Sequence, residues 1–208
     1  MKTCLIILGG RFCELPKTIR YDYCIACDLG LTYAERLGIR PDMILGDFDS
    51  LGTDPLNDVQ GIPIQIFPVR KDDTDAMLGV KKALKEGYDH IILTCALGGR
   101  MDHTLANIQT MAYVASHGAK CELISETEHL ETMTGGTLRL PREDGRELSL
   151  LALTDRCTGV CIRGAKYNGE DLTLTNDFPL GHGNEWVEDD VELSMKSGTL
   201  LIIRSEVE

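Results

Sequence analysis

His90-Ile91-Ile92-Leu93-Thr94-Cys95-Ala96-Leu97-Gly98-Gly99-Arg100-Met101-Asp102-His103 opens as an apolar run, turns on two glycines and continues at helical spacing to about Ser116. A strand that passes through a short turn into a helix is part of a strand–helix–strand unit, and the flanking sequence repeats the pattern. Upstream, Asp73–Glu86 sets Ala76, Met77, Val80, Ala83 and Leu84 at helical spacing and stops at Gly87. Apolar runs at Thr3–Leu8, Tyr23–Cys27, Met43–Leu45, Ile64–Val69 and Cys121–Ser125 read as further strands, with a short helix over Leu31–Leu37. Strands alternating with helices imply a mostly parallel, doubly covered sheet, so residues 1–126 are expected to form an α/β domain. In such sheets ligands bind beyond the carboxyl ends of the strands. Asp28, Asp47, Asp72 and Arg100 all fall at those ends.

Beyond about residue 126 the texture changes. Short alternating runs at Thr137–Leu140, Glu147–Ala152, Gly159–Ile162, Leu172–Thr175, Val191–Met195 and Thr199–Arg204 are separated by Gly, Asp and Asn turns, with no convincing helix. Residues 127–208 are therefore expected to form an all-β antiparallel sandwich.

A chain of 208 residues can bury one large core or two small ones. Its net charge of −12 argues against nucleic-acid or anionic-membrane partners, which demand a basic face. No apolar run approaches the roughly 18 residues that span a bilayer, and the start reads as a strand rather than a signal peptide, so the cytosol is the expected location. Eight cysteines in such a setting are expected to stay reduced and buried. Cys24 and Cys27 have zinc-like spacing, but three apart in a strand they face opposite sides.

The acidic motifs carry the chemistry. Asp47-Phe48-Asp49 follows a strand, so both carboxylates would point one way with Phe48 turned inward. Paired acids repel unless a cation lies between them, although Gly, Asp and Ser also suit a solvated turn. Asp72-Asp73-Thr74-Asp75 begins a helix, where capping competes with metal binding as the reason for acidic residues. Lys71 adjoins them and could hold a phosphate oxygen as a point charge. Gly98-Gly99-Arg100 lets backbone amides and a guanidinium face an anion, and it also suits a plain strand-to-helix turn. Together these residues point to Mg²⁺ and polyphosphate chemistry. Near the C-terminus, Gly181-His182-Gly183-Asn184-Glu185-Trp186 joins two strands, and the single tryptophan could stack on a flat heterocycle or fill a core.

The motifs Gly46-Asp47-Phe48-Asp49-Ser50, Lys71-Asp72-Asp73-Thr74-Asp75 and Leu97-Gly98-Gly99-Arg100-Met101-Asp102-His103, with Cys27-Asp28-Leu29-Gly30, resemble those of the thiamine pyrophosphokinase (thiamine diphosphokinase) family in order and spacing. The likeness continues through Gly164-Ala165-Lys166-Tyr167 and Asn184-Glu185. It implies an α/β catalytic domain, a β-sandwich that binds thiamine, and a homodimer. It implies transfer of the β,γ-pyrophosphoryl group of ATP to thiamine with release of AMP. By position, Asp47, Asp49, Asp72 and Asp75 would be the Mg²⁺ carboxylates, with Asp47, Asp75, Arg100 and Asp102 catalytic. Asp28, Gly30, Lys71, Gly99, Arg100, His103 and Asn107 would bind the nucleotide. Gly181, Gly183, Asn184 and Trp186 would contact thiamine from the partner chain. The family commonly has Ser-x-Ser-Asn-Glu where this chain has Gly181-His182-Gly183-Asn184-Glu185, so two hydroxyls are missing. On the residues alone, an Asp-x-Asp phosphatase with Asp47 as nucleophile and a non-enzymatic metal- or thiamine-binding module are the competing readings.

Overall fold

In a computed structural model, the chain is described over residues 1–47, 59, 61–68 and 72–207. It divides into two compact units, Met1–Glu126 and Thr127–Glu208.

The first unit runs β1 (Thr3–Ile7), β2 (Tyr23–Cys27), α1 (Gly30–Arg36), β3 (Met43–Gly46), β4 (Ile64–Ile66), α2 (Asp75–Lys85), β5 (His90–Thr94), α3 (Met101–Ser116) and β6 (Lys120–Ile124). The strands lie in the order β6-β5-β1-β2-β3-β4, every neighbouring pair parallel. Central strands β1 and β5 are buried along their whole length, as a sheet covered on both faces requires, which is why they read as unbroken apolar runs. On one face Leu5, Ile7, Cys24, Ala26 and Ile44 pack with Leu31 and Ala34 of α1. On the other lies α2, close enough that a Cβ added to Gly79 would stand 3.2 Å from Ile6 Cγ2 and 3.3 Å from Cys27 Sγ. Cys24 and Cys27 therefore face opposite sides and share no ligand. The strand order reverses between β1 and β5, the topological switch point where sheets of this kind open a crevice for ligands.

The second unit has two antiparallel layers. One is β12 (Gly181–Asn184), β9 (Arg146–Ala152), β14 (Leu200–Glu206) and β7 (Glu128–Met133). The other is β11 (Gly169–Thr175), β10 (Arg156–Arg163), β13 (Asp190–Met195) and β8 (Gly136–Pro141). Leu148, Leu150, Leu200 and Ile202 of the first layer meet Leu140, Val160, Ile162 and Leu193 of the second in one core. Two strands were hidden in the sequence. In β7 the pattern is masked because His129 and Glu131 lie on the same face as Ile202 and Arg204, and Arg204 pairs with both polar residues. In β12 the glycines mask it, although Gly181 pairs with Leu150 and Asn184 with Leu148. Among the described residues no helix is long and apolar enough to cross a membrane.

Candidate active site

Asp28 is the first residue beyond β2, Asp47 the first beyond β3, and Asp75 the first of α2. Because β2 and β3 are parallel neighbours, their carboxyl ends lie side by side. Asp28 takes a left-handed conformation (φ 47°), with its amide bonded to the Leu45 carbonyl at 2.9 Å and its carbonyl accepting from Leu31 N at 3.0 Å. This twist turns its carboxylate toward the neighbouring strand, where Oδ1 accepts from the Asp47 amide at 3.1 Å. The approach needs a glycine, since a Cβ on Gly46 would overlap Asp28 Oδ1. Gly30 is equally confined, because a Cβ there would overlap the Ile7 carbonyl.

The carboxylates of Asp28, Asp47 and Asp75, each half-buried, present oxygens that all lie within 4.8 Å of one another. Three acids this close destabilise each other unless a cation lies among them, and an all-oxygen set suits a hard divalent ion. The beginning of α2 fits this arrangement. Thr74 is the N-cap, accepting from Met77 N at 3.2 Å, so Asp75 is not needed for capping. Asp73 instead pairs with Lys81 Nζ at 2.7 Å, and Asp72 is exposed and outside the trio. Asp49 and Lys71 lie outside the described residues. Beneath the trio, burial first, then the charges of Asp75 and Asp28, push the Cys27 thiol far up, so it stays protonated and donates to the Asp75 carbonyl at 3.6 Å.

Asp28 is the residue whose position mattered most. Sequence reasoning placed it with Asp47 at the strand ends, and the family resemblance put it among the nucleotide contacts; in the structure it lies beside Asp47 and Asp75. The signal was available in principle, because a parallel sheet that orders β2 beside β3 puts the residues just past each strand next to one another.

The β5–α3 turn is built on Gly98 and Gly99, both left-handed (φ 79° and 73°). It is tied back by Asn107, whose Nδ2 donates to the Ala96 carbonyl at 2.7 Å, giving that residue a positioning role. Arg100 occupies the N-cap position of α3, 75% exposed, and its guanidinium pairs with Asp102 through both carboxylate oxygens. Asp102 also accepts from the His103 amide at 2.9 Å. Its bond with Arg100 holds the Asp102 carboxyl below the usual range, and His103 itself is exposed. Across the switch point the turn is stitched to the loop after β1 by Leu8 N to Thr94 O (3.0 Å), Gly10 N to Cys95 O (2.7 Å) and Arg11 N to Leu97 O (2.7 Å).

In the second unit the glycines at 181 and 183 have structural reasons. A Cβ at Gly181 would overlap the Leu150 carbonyl, and Gly183 is left-handed (φ 71°). A hydroxyl is present nonetheless, because Ser149 Oγ of β9 accepts from the Gly183 amide at 3.0 Å. Asn184 is buried, with Oδ1 accepting from the amides of Tyr167 and Glu185 and Nδ2 donating to the Tyr167 carbonyl. Trp186 lies in the sandwich core, with Nε1 donating to the Leu140 carbonyl at 3.1 Å.

With this geometry in place, the comparisons with known proteins are specific. Residues 18–123 match the family model described as thiamin pyrophosphokinase, catalytic domain, and residues 137–200 match its vitamin B1 binding domain. The chain belongs to the thiamin pyrophosphokinase family. It is 27% identical over 212 residues to the thiamine pyrophosphokinase of Bacillus subtilis (strain 168), covering 99% of both chains. The crystal structure of thiamine pyrophosphokinase from Bacillus subtilis superposes with a TM-score of 0.89 at 26% identity over 100% of each chain. A thiamin pyrophosphokinase family protein from Enterococcus faecalis gives 0.83 at 25% identity, again over 100% of each. The family's catalytic portion contains the carboxylate trio and the Arg100 turn, and its vitamin B1 binding portion contains Gly181–Trp186.

Proposed function

We propose that this member of the thiamin pyrophosphokinase family transfers the β,γ-pyrophosphoryl group of ATP to the hydroxyl of thiamine, releasing thiamine diphosphate and AMP. The observation that carries the reading is the trio Asp28, Asp47 and Asp75, with oxygens within 4.8 Å of one another at adjoining strand ends. The donor set fits Mg²⁺, which would be held by these carboxylates, with Asp49 and Asp72 as further candidates from the sequence. When bound there, the ion would neutralise the phosphate oxygens.

The chain's own residues supply position and charge, which provide most of the rate in transfers of this kind. Asp28 fixes the Asp47 backbone through its Oδ1 contact. The exposed Arg100 guanidinium can exchange Asp102 for a phosphate group, which offers two oxygens as the carboxylate does. While Arg100 holds it, Asp102 stays ionised but is a weak proton acceptor. Proton loss from the primary alcohol then comes late, with Asp102 as acceptor only after Arg100 turns to phosphate. The β-sandwich supplies the thiamine end through Gly181–Trp186, and the protein acts as a homodimer. Tyr167, Phe178, Leu180 and Val187, large apolar residues left exposed on that unit, support an interface there.

The test is product analysis with purified protein, thiamine, ATP and Mg²⁺. AMP in equal amount to thiamine diphosphate is the expected result, and ADP or a trapped phosphoenzyme would overturn it. Asp47→Asn should retain the wild-type circular dichroism spectrum and lose at least about 100-fold in kcat, since removing charge stabilisation at a transferring phosphate costs that much.

A further inference from the structure

Cys13 and Cys95 play no part in that reaction, yet they meet beneath the switch point. Cys13 lies in the loop after β1 and Cys95 directly follows β5, 82 residues apart, with their Sγ atoms 3.8 Å from each other. Both are buried, at 4% and 1% exposure. Around them are Thr94 Oγ1, 3.2 Å from Cys13 Sγ, the Ile124 carbonyl at 3.7 Å, and the Cys13 carbonyl, 4.0 Å from Cys95 Sγ. Cys95 is held in a left-handed conformation (φ 52°) that a cysteine rarely adopts. The backbone bonds from Leu8, Gly10 and Arg11 keep its loop against the one carrying Cys13. The gap between the two loops has no slack, since a Cβ on Gly10 would stand 2.6 Å from Cys95 O and 2.7 Å from Leu97 O.

We propose that Cys13 and Cys95 are a redox-active dithiol that a peroxide converts into an intramolecular disulfide, joining the β1 loop to the β5–α3 turn. Cys13 is the attacking sulfur. The Cys95 thiol donates to it and, against burial and with help from Thr94, lowers it to about 6, while the same contact pushes Cys95 up. The pairing itself stands on the geometry, because one sulfur is already within reach of the other. In the first step the Cys13 thiolate attacks one peroxide oxygen, the O–O bond breaks, and hydroxide leaves to become water with the proton Cys13 gave up. Cys13 is then a sulfenic acid. Cys95 attacks the Cys13 sulfur, the S–S bond forms, and the S–O bond breaks, with water carrying away the Cys95 proton. Two thiols are oxidised, and one peroxide is reduced to two waters.

The experiment treats the full chain with hydrogen peroxide, quenches it in denaturant with iodoacetamide, and maps peptides without reduction. The expected result is a protein that has lost the mass of two hydrogen atoms, with the Cys13 and Cys95 peptides joined and both released by dithiothreitol. Cys161→Ser, which removes the one cysteine that is only partly buried, should leave the cross-link unchanged. Cys13→Ser should leave Cys95 fully alkylated. Cys13 and Cys95 both alkylated after a peroxide dose that oxidises Cys161 would overturn the proposal. So would Cys13 recovered as sulfinic acid without a cross-link. None of these readouts depends on the reaction catalysed, so the pair and the pyrophosphoryl transfer stand or fall separately.

Discussion

At the scale of single residues, the site depends on how closely Asp28 approaches Gly46. The Asp28 carboxylate reaches the Asp47 amide only because residue 46 lacks a Cβ. Gly46→Ala must push Asp28 away from the trio, and overpacking of this kind costs about 1–3 kcal/mol. We expect a fall in kcat/KM of at least about tenfold and a higher Mg²⁺ requirement, read from activity against Mg²⁺ concentration. An unchanged Mg²⁺ dependence would separate Asp28 from the cation. The Arg100–Asp102 pair makes a second prediction, in pH. The Asp102 carboxyl is depressed by Arg100, so the pair is complete above the carboxyl's ordinary value, about 3.9, and is lost only as pH falls through the lower folded value. Arg100→Gln should return the Asp102 titration, followed by NMR, toward that ordinary value. Asp28 and Asp47 were read from the sequence as carboxylates at strand ends, and Asp75 as part of a helix start. Which three of the acids meet was not legible, because it needs the lateral order of the strands.

At the scale of elements, the parallel sheet was readable because its buried strands are continuous apolar runs and its helices keep their spacing. The same reasoning failed where polar residues serve inside. Strand β7 carries His129 and Glu131 inward, and β12 is two glycines, a histidine and an asparagine, so neither shows alternation. The missing serines at 181 and 183 have a matching explanation. Backbone crowding at Gly181 leaves no room for a side chain, and the hydroxyl that braces this strand comes from Ser149 on β9. Ser149→Ala should therefore cost about 1 kcal/mol of stability. It should also raise KM for thiamine severalfold while leaving KM for ATP within about twofold. Ser149→Thr, which keeps the hydroxyl, should restore both. Equal shifts in the two KM values would show that β12 braces the fold without shaping the thiamine end.

At the scale of the whole molecule, each compact unit holds together by different means. The first has a continuous apolar sheet interior. The second closes one end of its sandwich with buried charge. Arg204 donates to Glu131 at 2.8 Å, to His129 Nδ1 at 2.8 Å and to Glu143. Its Nε is the one buried side-chain polar atom without a partner among the described residues. A pair such as Arg204–Glu131, with side chains 10% and 5% exposed, gains little over apolar residues of similar size, but removing one partner leaves the other's buried charge less compensated. Arg204→Ala should thus destabilise the unit by about 3–5 kcal/mol, lowering its midpoint by on the order of 10 °C or more. Trp186, the only tryptophan, lies in this unit's core, so its fluorescence follows this transition. The double change Arg204→Met with Glu131→Leu separates the two causes of such a loss. If the cost is the less compensated Glu131 carboxylate, the double variant recovers most of the lost midpoint, because Glu143 is partly exposed and can be solvated. If the guanidinium is itself what joins β7 to β14, the double variant melts as low as Arg204→Ala.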